Sequence, residues 1–358
     1  MQTKTNLYEA HRQWASRPPD QRFPDLNALC NFTQARRVAS TDRNVPLREL
    51  KVVALDSEDL AINSRIPQST LTHWSFSQIC AQTRTPAGFL RSLPANLARE
   101  CLQHSIQRTG GNCKLLLTAD VSNAGHGIIG AITGPAYGRI WDADVVENLQ
   151  KAVEGTSWHV PPARPAFGSD FSGLYASDRD MFAFLVNDEK PIEVGNARLG
   201  RGFFLWNSEV GSATFGLTTF LYNYVCGNHI VWGADQVQDL RIIHRKFAPE
   251  RFSEQAMPML NRFVESRGNI ASIADTVASA MKTPIGQTLE EAQKWFKSKP
   301  FTQREVAAAW STGLQEGEDV TMLWGMSQGF TAQARQFAHV DARVNLETRA
   351  GQLLSLAN

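Results

Sequence analysis

Residues 203–233 read FFLWNSEVGSATFGLTTFLYNYVCGNHIVWG. Two runs rich in aromatic and β-branched residues are separated by a polar Asn-Ser-Glu corner, which predicts two strands joined by a turn. Thr214, Gly216, Thr218 and Phe220 fall on one face at strand period, as do Phe182, Phe184 and Val186 upstream, which favours half-buried antiparallel pairing. The second turn, around Cys226, is the harder one to assign. A cysteine nucleophile needs a lowered pKa and a nearby base, and His229 lies only three places on. Across a tight turn the two side chains can fall on opposite faces, and free cysteine is a commonly buried residue type. We therefore expect a β-turn cornered at Gly227-Asn228 or Asn228-His229, with the aromatics in the core.

Working outward, Leu50–Leu55 and Leu60–Asn63 read as short strands. Residues 69–108 form a helix–turn–helix-like stretch, with Ser69 or Thr70 as the expected first cap and two further short helices opening at prolines. CKLLLTADVSNAGHGIIGAITGPAY (113–137) predicts two strands around a loop. IWDADVVENLQKAVEG follows as an amphipathic helix with Asp142 or Asp144 suited to its N-terminal dipole. From Pro249 onward the pattern is helical, with capping boxes at Thr288–Glu291 and Thr302–Glu305. TNLYEAHRQWASR, near the start, is a further expected helix. These elements predict an α+β fold: a central, mostly antiparallel sheet flanked by helices, with a helical C-terminal third. The expected regions are 1–110 (helices and short strands), 111–248 (β-rich core) and 249–358 (helical).

Composition narrows the function classes. Nine Trp and nineteen Phe in 358 residues supply a substantial core, and the net charge of +1 argues against a protein that coats DNA through bulk charge. The five cysteines are scattered without CxxC spacing, so no zinc finger or redox dithiol is indicated, and a reducing cytoplasm is expected. No leader-like or membrane-spanning stretch stands out. His229 and His244 lack paired cysteines, so no metal is expected, and no cofactor fingerprint is present. Ser122–Gly127 has the glycines of a phosphate loop without its lysine, and it reads as a hairpin loop. Asp170, Asp178 and Asp180, with Glu209, could form a carboxylate cluster but also suit ordinary turns.

The run RIIHRKFAPER (241–251) gathers Arg241, Arg245, Lys246 and Arg251 directly after the aromatic sheet. Cations for phosphates beside aromatic rings for bases are how single-stranded nucleic acid is commonly held. The expected stacking residues are Trp206, Tyr222, Tyr224 and Trp232. Arg335, Arg343 and Arg349 form a second basic group, diluted by Asp341 and Glu347.

Four stretches also resemble a known family. The run at 203–233 is similar to the signature of the DUF932 family, in which an NSE(V/T)G turn precedes a strand and a second turn. HWSFSQICAQTRTPAGFLRSLPANLA (73–98), AYGRIWDADVVENL (136–149) and LWGMSQGFTAQAR (323–335) resemble its other blocks, in the same order. Where the family's second turn ends in Asn-Gly, this chain has Asn228-His229 after Gly227. The resemblance implies an origin in phages, plasmids or related mobile elements and assigns no activity. The expectation is a cytoplasmic accessory protein that binds single-stranded nucleic acid in replication or recombination. The alternatives are a homo-oligomeric interaction protein acting on a host defence component, or an enzyme using Cys226 or the group Asp170, Asp178 and Asp180.

Overall fold

The computed structural model describes residues 19–56, 59–64, 67–119, 127–160, 173–195, 197–223, 229–230, 239–265, 270–334, 336–337 and 340–357. The fold is α+β, with two sheets rather than one and a helical C-terminal region.

The first unit opens with helix α1 (Leu26–Val38), which the sequence reading missed; Asp25 caps it by accepting from Ala28 N. Strands β1 (Ser40–Pro46), β2 (Lys51–Ala54), β3 (Leu60–Asn63) and β4 (Ser69–Leu71) follow, then helices α2 (His73–Gln82), α3 (Ala87–Arg91) and α4 (Ala95–Arg108), then β5 (Asn112–Ala119) and β6 (Gly127–Thr133). The expected cap of α2 moves from Ser69 or Thr70 to Thr72, whose hydroxyl accepts from Ser75 N, because Ser69 and Thr70 are strand residues paired to β6. The strand order is β1-β5-β6-β4-β3-β2, antiparallel except for β4 beside β6. Ile79, Cys80, Leu102 and Ile106 of α2 and α4 bury one face of this sheet against Val52, Ile62, Leu115 and Ile132. At the β2 edge the Gln103 side chain of α4 accepts from Val52 N (2.7 Å) and donates to Leu50 O (3.1 Å), which occupies backbone groups an edge strand would otherwise offer to another chain. The expected division at 110/111 falls between α4 and β5, inside this unit, since β5 pairs with β1 from Pro46↔Asn112 to Ser40↔Thr118.

Helix α5 (Asp142–Val153) leads to the second sheet: β7 (Leu174–Ala176), β8 (Met181–Val194), β9 (Ala197–Asn207), β10 (Phe215–Asn223), β11 (His229–Ile230) and β12 (Asp239–Ile242). Its order is β11-β10-β9-β8-β7, all antiparallel, with β12 also on β10. Alternation along β8 separates two apolar sets rather than an apolar from a polar one. Ala183 and Leu185 face α5 and the later helices, while Phe182, Phe184 and Val186 join Phe204, Trp206 and Phe220 in an aromatic layer. Both sets are buried, so the expectation of a half-buried sheet is corrected. Gly216 makes room within the aromatic layer: it lies opposite Trp206, and a Cβ there would collide with the indole.

Helices α6 (Ala248–Arg251) and α7 (Met257–Glu265) complete the aliphatic side, with Leu260 and Phe263 in the same core as Leu205 and Leu217. A single π-helical turn, Phe252–Ala256, separates them. The last helices, α8 (Ile270–Ala280), α9 (Leu289–Phe296), α10 (Gln303–Gln315), α11 (Leu323–Ala334) and α12 (Val340–Gln352), share a core that takes in Ile192, Leu199 and Leu221 from the far ends of the long strands. Thr302 and Glu305 form the expected reciprocal capping box at α10; at α9 the Thr288 hydroxyl accepts from Glu291 N. No helix among the described residues is long and apolar enough to cross a membrane.

Candidate functional site

The NSEVG corner ends β9 and enters the junction between the two sheets. Val210 packs with Leu116 and Ala131 of the first sheet, between Trp74 and Trp141. Its carbonyl accepts from Trp74 Nε1 (3.0 Å) and from Gln78 Nε2 (2.8 Å), both on α2. Three of the four resembling stretches, 73–98, 136–149 and 203–233, therefore meet at one place.

Beneath Val210 lies a buried polar network. Glu209 Oε1 accepts from the backbone N–H of Asp142 (2.9 Å), the first residue of α5. The Asp142 carboxylate, 0% exposed, accepts from Asn207 Nδ2 (2.7 Å) and Arg36 Nη2 (3.0 Å). Arg36 Nη2 also reaches Glu209 Oε2 (2.8 Å), and Nη1 donates to Ser177 O. One guanidinium from α1 thus bridges two buried carboxylates, while a second, Arg139, ties Asp42 on β1 (2.7 Å) to the Glu209 carbonyl. Burial, then the neighbouring Glu209, pushes the Asp142 carboxyl above the ordinary carboxylate range, and Arg36 pulls it back in part. Buried charges persist only when paired and hydrogen-bonded, and here each carboxylate has at least two donors.

This network also holds an exposed turn. The Tyr137 hydroxyl donates to Ser208 O (3.1 Å), and its ring stacks on His244 at 5.3 Å and 15°. His244 Nδ1 donates to Gly138 O (3.2 Å), the one role open to it opposite a carbonyl, while Gly138 N donates to His244 O (3.4 Å). Gly138 is required by that approach, since a Cβ would collide with the Arg245 carbonyl. Burial holds His244 neutral, with its pKa pushed down to about 4. From this anchor Ile243, Arg245, Lys246 and Phe247 project outward; Phe247 is 62% exposed and Ile243 55%. Lys246 Nζ lies 5.3 Å from the Phe247 ring. Arg251 is exposed on α6 just beyond, its guanidinium donating to Gln255 Oε1 (3.5 Å). Among the described residues, Arg245, Lys246 and Arg251 form no ion pair.

The expected basic group is therefore divided. Arg245, Lys246 and Arg251 share the exposed turn and helix, whereas Arg241 sits on β12 opposite Gly216, its guanidinium 5.8 Å from the Trp206 ring. Trp206 as a stacking platform is corrected: it is 1% exposed inside the aromatic layer, so its face is covered by protein. Tyr222 lies on β10, paired to Gly200 and His229. Tyr224, Trp232, Cys226 and Asp170 lie outside the described residues. Asp178 is exposed and Asp180 accepts from Ser177 Oγ (2.8 Å) in the turn between β7 and β8, next to the carbonyl that Arg36 holds. The sequence reading missed Phe247 and Ile243 as surface groups. It had one usable signal, that Phe247 stands just outside the strand alternation and before Pro249. Burial pushes the thiols of Cys80 and Cys113 up to about 11 and about 12, as inert core cysteines require. No group of three or more candidate metal ligands occurs among the described residues.

No family model, no curated protein and no solved structure matches the chain.

Proposed function

We propose that the turn Ile243–Phe247, continued by Arg251, binds single-stranded nucleic acid, and that the protein serves replication or recombination of a mobile element. The observation that carries this reading is an exposed phenylalanine beside three exposed cations that form no ion pair among the described residues, two on a turn clamped to a buried network and one on the helix that follows. Phe247 takes the stacking role first expected of Trp206, and Arg245, Lys246 and Arg251 take the phosphates. A fixed turn lowers the ordering cost of binding. The π-helical turn that follows Arg251 adds support, because such turns recur at functional sites. Glu250, exposed beside Arg251, opposes phosphate and gives an internal control.

The test is fluorescence anisotropy of a labelled single-stranded oligonucleotide at two salt concentrations, with a duplex competitor. Phe247→Ala should weaken binding by about 1–3 kcal/mol, the usual worth of one stacked base. Removing Arg245, Lys246 and Arg251 together should flatten the salt slope by about 2, at roughly 0.7 per phosphate on a single strand. Glu250→Gln should tighten binding. Absence of binding at low salt, or a triple variant that binds as well as the parent, would overturn the reading and direct the search to a protein partner.

A further inference from the structure

The first sheet closes one of its edges and leaves the other open. At β2 the Gln103 side chain occupies Val52 N and Leu50 O, whereas β1, at the opposite end of the strand order, is paired on one side only, to β5. Hydrogen bonds at the two ends of β1, from Leu47 N to Gly111 O (3.0 Å) and from Ala119 N to Ala39 O (3.0 Å), fix which of its backbone groups face β5. Bonding alternates along an antiparallel pair. Thr41, Arg43 and Val45 therefore bond to β5, while Asp42 and Asn44 turn their N–H and C=O groups outward. Thr41, Asp42, Arg43 and Asn44 are all exposed, and among the described residues nothing bonds to those outward groups. An open edge of this kind is a template for another strand.

The side chains decide which strand it accepts. Asp42 is held by Arg139 (2.7 Å), but Arg43 forms no ion pair among the described residues. A second copy of β1 fits poorly. Two-fold antiparallel pairing centred on Asp42 or on Arg43 sets like charges directly opposite each other. Centred on Asn44, it sets Asp42 against Pro46, which has no N–H to give. In any antiparallel pair on this edge Arg43 takes a non-hydrogen-bonded position, where facing side chains lie closest. We infer that the outer edge of β1 takes an extended segment of a partner protein as an added antiparallel strand, bonded to the backbone of Asp42 and Asn44, with a Glu or Asp directly opposite Arg43. Main-chain bonds supply the affinity in such pairing and facing side chains the selectivity.

The test titrates the full chain with short labelled peptides of alternating Thr and Val: one with a central Glu, one with a central Lys, and the Glu peptide with its backbone nitrogens methylated. Fluorescence anisotropy reads affinity, and hydrogen exchange reads protection of the β1 amides. The Glu peptide should bind and protect the Asp42 and Asn44 N–H groups, and the methylated peptide should not bind. The Lys peptide should bind about fivefold more weakly, the worth of one cross-strand charge pair. Asn44→Pro removes an outward N–H without touching a bond to β5, so it should weaken the Glu peptide by about fivefold or more while circular dichroism confirms the fold. Arg43→Glu should reverse the preference between the Glu and Lys peptides. The inference is overturned if neither charged peptide binds, if the methylated peptide binds as well as the Glu peptide, if folded Asn44→Pro binds as the parent does, or if Arg43→Glu leaves the preference unchanged. It is overturned equally if the chain alone sediments as a dimer that Asn44→Pro separates, since a second copy would then hold the edge.

Discussion

Replacing Arg36 by Met should be among the most damaging single changes in the chain, and its cost should depend on pH in a specific direction. The Arg36 side chain is 18% exposed, and its guanidinium touches the carboxylates of Asp142 and Glu209, whose side chains are 0% and 3% exposed, at 3.0 and 2.8 Å. Methionine keeps much of the stem's volume, so the packing loss is small and the effect isolates charge. Removing one partner of a buried ion pair costs about 3–5 kcal/mol, because the remaining charge is stranded. Here two carboxylates are stranded together, so the upper half of that range is expected at pH 8. The pair has one remedy, a shared proton, in which one carboxyl donates to the other. In the parent, Asp142 is already raised by burial and by Glu209 to about 7, above its unfolded value near 4. Between those values the native state holds more protons than the unfolded state, so this group's burden on stability is full above pH 7 and eases as pH falls. Without Arg36 the raised pKa moves higher still, so the variant gains more from acidification than the parent does. Its deficit should shrink by as much as about 1.4 kcal/mol between pH 8 and about pH 7, one extra proton over that unit, and level off at lower pH, where Asp142 is protonated in both native states. Urea unfolding of both proteins at pH 8 and pH 5, followed by Trp fluorescence, measures this directly. Adding Glu209→Gln to Arg36→Met should restore part of the loss at pH 8. A deficit below about 1 kcal/mol at pH 8, or one that does not change with pH, would refute the account of Arg36 as the neutralising bridge.

Further outcomes follow from other sites. Gly216→Ala places a methyl against the Trp206 indole, and overpacking of this kind should cost about 1–3 kcal/mol or more by denaturant midpoint. His244 is held neutral with a pKa near 4, below its unfolded value, so its contribution is complete above about pH 6.5 and is lost as pH falls toward 4. Protection of the Gly138 N–H, its exchange rate relative to the intrinsic rate at each pH, should accordingly fall in that window, and unchanged protection would remove His244 as the anchor of the turn. Glu305 is held below the ordinary carboxylate range: burial opposes this, but hydrogen bonds from Arg349 (2.6 Å) and from the Thr302 backbone N–H (2.7 Å) outweigh it. Its stabilisation is present above that range and is lost as pH falls through the lowered value, so an acid titration of Glu305→Gln should be flatter than that of the parent. Thr302→Ala should cost about 1 kcal/mol through loss of the α10 cap, read from thermal unfolding.

Much of the fold was legible locally because its causes are local. Capping at Thr302, prolines before α3 and α4, and the apolar face of α5 each depend on neighbours within a turn or two. Helix α1 escaped notice because its apolar face is weak, with only Leu29 and Thr33 buried, and its place is fixed by what it meets rather than by its own pattern. Pairing of β1 with β5, across some seventy residues, left no mark in composition, so the first sheet could not be separated from the second. Alternation along β8 was correctly seen as strand, but period alone cannot say whether the second face meets water or another apolar layer. That is why Trp206 looked available for stacking and is buried, while Phe247, two residues before Pro249, is the ring that reaches the surface. Charge behaves in the same way. In sequence Arg36, Asp142 and Glu209 are ordinary surface residue types more than sixty positions apart; only folding removes them from water together, and only removal from water makes their pairing obligatory. The sequence by itself determined the type and approximate place of most helices and strands, because hydrogen-bond caps and side-chain periods act over a few residues. Tertiary structure alone decided which charges and rings are buried, because desolvation depends on what the rest of the chain brings to the same place.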